Sequence, residues 1–194
     1  MNVRNAATKV LNVQDFGPLA KASRQACVSG GAYGFRMTTT SGGGTFEAAT
    51  GDGPPLPAAE AEQRSREVRA ARDGLLQIRR LTNGRGGDPA AVPADWERGR
   101  PVRAVALALE CGGITPSSVD AAGARVATGY RVREGDRPAT AVVEWLGPSG
   151  SGAAQEEAEA LAACVPVLVR LGWEALLYRG PRGRRYLEVE PMTP

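Results

Sequence analysis

The residues best suited to binding chemistry lie together near the end of the chain, in the stretch YRGPRGRRY. Four arginines and two tyrosines share this short stretch: Tyr178, Arg179, Arg182, Arg184, Arg185 and Tyr186. A guanidinium forms paired hydrogen bonds with carboxylates and phosphates, and a tyrosine ring can stack on a nucleobase. We therefore interpret the cluster as the first candidate binding site. Its other interpretation is a solvated turn whose charges protect a sheet edge from aggregation.

A glycine-rich stretch, GPSGSG at residues 147–152, follows a predicted strand and precedes a predicted helix. In this arrangement, backbone N–H groups at the start of a helix can hold a phosphate. The glycine spacing differs from that of nucleotide-binding loops, however, and the acidic residues Glu156, Glu157 and Glu159 would repel an anion. We expect a plain connection here, and no cofactor.

Residues suited to catalysis or metal binding are sparse. The chain has no histidine, which removes the usual general base at neutral pH. Cys27, Cys111 and Cys164 are odd in number and lack CxxC spacing, which disfavours zinc and disulfides and favours a reducing cytosol. Glu188 and Glu190 share one face of a predicted strand, but no lysine lies near them to complete a nuclease-like metal site. The sequence therefore predicts no catalytic residue and no metal.

Charge and composition change along the 194 residues. Residues 1–36 contain five basic residues and one acidic residue, whereas residues 37–194 contain 19 arginines, no lysine and 20 acidic residues. The balanced main part does not indicate a surface that follows a phosphate backbone. The change suggests Met37 as the natural start, and the arginine, alanine, glycine and proline bias resembles actinobacterial coding. We expect residues 1–57 to be a disordered or weakly ordered extension with a Gly/Pro-rich linker from residue 38.

The clearest single element is an amphipathic helix over residues 58–82. Apolar residues recur at steps of three and four, as at Val68, Ala71 and Leu75. This face either packs on the rest of the protein, which we favour, or binds a partner helix. Residues 85–101 follow as a loop anchored by Trp96, so that residues 58–101 form a helix-and-loop unit.

Residues 102–146 begin with an ambiguous segment. Residues 102–110 fit either a short helix or a strand, and Thr115 before Pro116 predicts the start of a helix over residues 115–126. Two short helices across a glycine-containing turn, followed by a hairpin, resemble the element order of a winged helix-turn-helix. That resemblance implies DNA binding. The predicted second helix carries no net charge, and we prefer two helices that pack on the domain.

Residues 128–191 predict two hairpins on either side of one helix. Turns at residues 135–138 and 180–183 join β-rich runs, and a helix spans residues 153–171, with Pro166 expected to kink or split it. The predicted fold is therefore α+β, with a C-terminal antiparallel ββαββ sheet that carries one helix on a face, in a domain over residues 102–194.

The sequence as a whole favours a small cytosolic, non-enzymatic binding module that acts through protein contacts or self-association. Nucleic-acid binding, through the arginine-rich hairpin or the winged-helix-like region, is the alternative. An enzyme is the weaker alternative. No apolar run is long enough to cross a membrane, so we expect no membrane partner.

Overall fold

The computed structural model describes residues 11–12, 46–83 and 88–192. Predictions for the other residues, including Met37 as the natural start and most of the N-terminal extension, lie outside the described residues. The elements are β1 Leu11–Asn12, α1 Ala61–Thr82, α2 Asp95–Arg98, α3 Pro101–Cys111, β2 Ser118–Val119, β3 Arg125–Ala127, β4 Gly129–Glu134, β5 Ala141–Leu146, α4 Ala153–Val169, β6 Trp173–Arg179 and β7 Arg185–Pro191.

The main sheet has the strand order β1-β6-β7-β5-β4. Strands β4 to β7 are antiparallel to their neighbours, whereas the short β1 runs parallel to β6. Strands β2 and β3 form a separate antiparallel pair. The predicted α+β class and its antiparallel ββαββ unit are confirmed.

Helices α3 and α4 pack against the same side of the sheet. Alternate residues of the strands, such as Tyr130, Val143 and Leu187, are buried there in one core with Leu109 of α3 and Leu161 of α4. The predicted helix over residues 153–171 is thus α4, and α3 joins it on that side. α4 continues as one helix through Pro166, so the proline does not split it.

Helix α1 matches the predicted amphipathic helix and packs on α3. Its residues Val68, Ala71 and Leu75 are buried in the core, as the interpretation of a self-packing helix requires. Leu81 is 76% exposed and lies outside this apolar face. No described helix is long and apolar enough to cross a lipid bilayer.

The predicted helix over residues 115–126 is wrong. This segment contains β2 and β3 instead, and its start is bound to the edge of β4. The Tyr130 N–H donates to the Thr115 carbonyl at 3.0 Å, and the Ser117 N–H donates to the Tyr130 carbonyl at 2.8 Å. Because these backbone groups pair with a strand, they cannot begin a helix. The segment before it, residues 102–110, is helical as part of α3, so the winged-helix element order is not present.

Residues 46–52 also differ from the linker expected over residues 38–57. Ala48 is buried in the core, and the Val132 N–H donates to the Thr50 carbonyl at 2.7 Å. Gly51 has a φ of +90°, and a Cβ there would lie 2.2 Å from the Tyr130 carbonyl oxygen. The glycine permits close packing on β4, which composition alone does not reveal.

Candidate interaction site on the sheet

The sheet has one face covered by helices and one face that points away from them. Because side chains alternate along a strand, the register assigns each residue to a face. We call the side away from α3 and α4 the open face. Its residues on β4 to β7 are Arg131, Arg133, Val142, Glu144, Leu146, Glu174, Leu176, Tyr178, Tyr186, Glu188 and Glu190.

The structure separates the arginines of the predicted cluster from its tyrosines. Arg184 and Arg185 contact the carboxylate of Glu157 in α4. The Arg184 side chain donates to it through Nε at 2.6 Å, and the Arg185 backbone N–H donates to it at 2.8 Å. Arg179 is directly opposite Arg185 and is exposed. The side chain of Arg182 lies outside the described residues. Two of the predicted arginines thus tie the last hairpin to α4, and their use in binding a ligand stays a prediction.

Glu157 is the buried centre of this connection, with a side chain only 3% exposed. We expect Glu157→Gln to lower the free energy of unfolding by about 1.5–3 kcal/mol, because charge-assisted hydrogen bonds are lost in a buried site. Urea denaturation measures the change. The neighbouring, exposed Glu156→Gln is the matched control and should change stability by about 0.5 kcal/mol or less. Equal effects of the two substitutions would contradict the assigned role of Glu157.

Tyr178 and Tyr186 lie together on the open face. They are a directly opposed pair on β6 and β7, with ring centroids 5.7 Å apart and planes inclined by 18°. Burial raises the pKa of both phenols, and the negative charge of Glu188 raises it further. Leu176 lies beside them and is directly opposite Glu188. Leu176, Tyr178 and Tyr186 together form a half-buried patch of apolar and aromatic side chains.

Carboxylates surround this patch. Glu174 is directly opposite Glu190 in the register, and like charges in that position destabilise a sheet. Arg137, from the β4–β5 turn, donates to Glu188 and reaches Glu190 at 2.9 Å. Two of the three carboxylates, those of Glu188 and Glu190, therefore share one guanidinium. We call the part of the open face on β6 and β7 the acidic half: Glu174, Leu176, Tyr178, Tyr186, Glu188 and Glu190.

In the other half of the open face, on β4 and β5, the carboxylates are already paired with arginines. Arg131 contacts both Asp52 and Glu144, at 2.9 and 3.3 Å. Arg133 lies 3.5 Å from the same Glu144. Arg125 is also paired with Asp52, so three arginines share two carboxylates in this half. The excess negative charge of the open face therefore lies beside the tyrosines. The carboxylates there would repel a phosphate group.

The glycine-rich stretch before α4 offers little to an anion. Gly152 is the N-cap, with a φ of +81°. The Gln155 N–H donates to the Gly152 carbonyl at 2.9 Å, and the Ala153 N–H donates to Ser151 Oγ at 3.4 Å. Two of the groups that a phosphate would need are therefore already bonded.

The two cysteines within the described residues are not activated. Burial raises the pKa of Cys111 to about 11 and that of Cys164 to about 12. Neither environment supplies a thiolate at neutral pH, which is the form that acts as a nucleophile. These thiols belong to the packing of the protein.

Alkylation rates test this assignment. At pH 8, iodoacetamide is expected to modify Cys111 about a hundredfold more slowly than a peptide thiol, because the thiolate fraction falls tenfold for each unit of pKa. Peptide mass spectrometry resolves each cysteine, and the urea-unfolded chain is the control. Alkylation of native Cys111 as fast as in the unfolded chain would contradict the assignment.

A groove of about 280 Å³ opens at the N-terminal end of α3. Its charged lining residues are Glu47, Arg100, Arg103 and Glu134. Arg103 is bonded to the carbonyl of Phe46 at 2.7 Å. With two acids against two bases, the groove has no charge preference for a ligand.

Comparisons with known proteins give no functional assignment. The sequence matches no protein-family model, and neither a curated protein nor a solved structure is significantly similar to it. Within the described residues, no cluster of acidic residues and cysteines could hold a metal ion. The structure therefore classifies this protein by its fold alone, as an α+β protein in which one face of the sheet points away from α3 and α4.

Proposed function

We propose that the protein is a small cytosolic, non-enzymatic module that binds another protein through the acidic half of its open face. The observation that carries the proposal is the stacked pair of Tyr178 and Tyr186 on the side of the sheet that faces away from α3 and α4, beside carboxylates that are not fully compensated. Tyrosine is enriched in protein interfaces, where it supplies a large contact area and loses little side-chain entropy.

The charges indicate the chemistry of the partner. Arg137 donates to Glu188 and Glu190 of the acidic half, and Glu174 is directly opposite Glu190. A lysine or arginine of a partner placed near Glu174 would relieve the repulsion between Glu174 and Glu190. The partner surface is therefore expected to combine aliphatic or aromatic side chains with basic ones.

Selection from a random peptide library on the immobilised full chain tests this proposal. Enriched peptides should combine apolar and basic residues, and their affinity should fall about tenfold or more with Tyr178→Ala plus Tyr186→Ala, because central aromatic residues dominate interface energies. Glu190→Lys should weaken binding as well, and it leaves the tyrosine pair in place. Leu81→Ala, on the exposed side of α1, is the matched control and should not change the affinity.

The proposal fails under either of two results. One is that the library gives no enriched peptide. The other is that the enriched peptides bind the tyrosine variant and Glu190→Lys as tightly as the original chain. Urea denaturation of each variant verifies that its fold is intact, so that loss of binding is not loss of structure.

A further inference from the structure

The two outer edges of the main sheet differ in how they are covered. The β4 edge is bonded to neighbouring segments: Thr115 and Ser117 pair with Tyr130, and Thr50 accepts from Val132. The outer edge of β6 is paired with β1 at two positions, where Leu11 is opposite Tyr178 and Asn12 is opposite Arg179. Among the described residues, the rest of that edge, Trp173 to Leu177, has no strand partner.

Strand β6 also lacks the features that usually block edge pairing. It contains no proline, and it remains in register with β7 over all seven of its residues, Trp173–Arg179, without a bulge. Its middle residues, from Ala175 to Tyr178, carry no charge. Edge strands normally avoid such a stretch, because it presents unpaired backbone N–H and C=O groups to other chains.

We infer that the outer edge of β6 is a strand-acceptor site, where an extended segment of the partner adds parallel to β6. This inference rests on the proposed function and specifies how the partner is bound. Main-chain hydrogen bonds supply affinity in this mode, and alternate side chains supply specificity. The parallel pairing of Leu11–Asn12 at the Tyr178 end shows that the edge accepts a strand in this direction.

The direction fixes the order of residues in the partner. Alternate side chains of an added strand project on the open face, first beside Glu174, then beside Leu176 and then, where the strand displaces Leu11, beside Tyr178. A parallel segment therefore places a basic residue towards its N-terminal end and apolar residues two and four positions later. In the chain's own sequence, Lys9, Leu11 and Val13 have this spacing, so a peptide of residues 5–13 is a suitable probe. It fits the order when it binds two residues out of the register in which Leu11 is opposite Tyr178.

The probe is a capped synthetic peptide of residues 5–13, titrated calorimetrically into the full chain. The chain's own Leu11–Asn12 pairs with part of this edge, so the titration also uses Leu11→Pro plus Asn12→Pro. Prolines cannot donate to a ladder and should release the edge. The peptide is expected to bind this variant about tenfold more tightly than it binds the original chain, since an internal competitor has been removed.

Two N-methylated peptides distinguish strand addition from other modes of binding. One carries N-methyl groups at Thr8, Val10 and Asn12, and the other carries them at Lys9, Leu11 and Val13. Because successive N–H groups of a strand point to opposite sides, one peptide should lose binding and the other should keep it. Hydrogen exchange of the proline variant should also show added protection of the β6 amides with the unmethylated peptide.

Strand addition is overturned if the unmethylated peptide does not bind the proline variant, if both methylated peptides bind equally, or if the β6 amides gain no protection. The proposed function is judged separately, by the library selection and the tyrosine variant. A separate outcome is that selected peptides lose affinity for the tyrosine variant and yet keep their affinity when either alternate set of their own backbone nitrogens is methylated. That result would support the proposed function and rule out strand addition.

Discussion

Glu97→Ala is expected to lower the free energy of unfolding by about 3–5 kcal/mol, because it leaves the Arg79 guanidinium buried without its counter-charge. Arg79 is 1% exposed and Glu97 is fully buried. Two hydrogen bonds join them, at 2.7 and 2.6 Å. Arg79 also donates to the carbonyl groups of Ala90 and Leu171, so the pair connects α1, α2 and the segment before β6. Urea denaturation measures the loss.

The control is a substitution of both partners, Arg79→Met with Glu97→Leu. Replacing a buried ion pair by apolar residues of similar volume often costs little, whereas removal of one partner costs much more. The double variant should therefore be no less stable than Glu97→Ala. A loss below about 1 kcal/mol for Glu97→Ala would show that Arg79 finds another partner or water, and that the pair is not the clamp described here.

Trp173→Ala is expected to cost about 3–5 kcal/mol, since it removes a large side chain from the centre of the core. Trp173 is fully buried and begins β6 directly after Gly172. Gly172 has a φ of +78°, and a Cβ there would lie 2.0 Å from the Ala91 carbonyl oxygen. The close approach of two segments leaves little room for the core to collapse around a cavity. Thermal or urea unfolding provides the measurement.

Trp173→Phe is the matched control for this substitution. Among the described residues, the indole N–H of Trp173 has no hydrogen-bond partner. Phenylalanine fills most of the same volume and loses no hydrogen bond, so its cost should be well below that of alanine. Equal losses for the two substitutions would mean that the indole N–H has a bonded role that this account does not assign to it.

Residue patterns within a short stretch of sequence predicted the helices and hairpins that depend on contacts between neighbouring residues. Helix α1 follows from the apolar spacing of Val68, Ala71 and Leu75, and the two hairpins follow from β-rich runs around glycine- and proline-containing turns. Residues 115–126 show the limit of this reasoning. Thr115 and Pro116 have the residue types of a helix start, yet the backbone there bonds to Tyr130. A long-range strand contact outweighs a capping preference worth about 1 kcal/mol.

The candidate site was predicted in part. The alternation of residues along β7 already places Tyr186, Glu188 and Glu190 on one face and Arg185 on the other, so the separation of tyrosines and arginines could have been predicted from the sequence. The role of Glu157 could not, since its arginine partners lie 27 and 28 residues away. Arg137 is likewise separated from Glu188 by 51 residues, and no local pattern connects them.

The buried pair of Arg79 and Glu97 gave no sequence signal either. Arg79 is one of several arginines in α1, and Glu97 lies in a segment that we predicted as a loop. Charged residues in a helix are normally solvated. Only the packing of α1, α2 and the Leu171 backbone around them identifies these two as buried.

The measurement that tests the central claim most directly is an NMR titration of the full-length Leu11→Pro plus Asn12→Pro variant with the capped peptide of residues 5–13. We predict saturable shifts of backbone amides concentrated in β6 and β7, at Leu176, Tyr178, Tyr186 and Glu190. The exposed side of α1 around Leu81 should be unaffected. Saturable shifts confined to α1 or to the groove beside Arg103, or the absence of any saturable shift, would contradict the assignment of the outer edge of β6 as a strand-acceptor site.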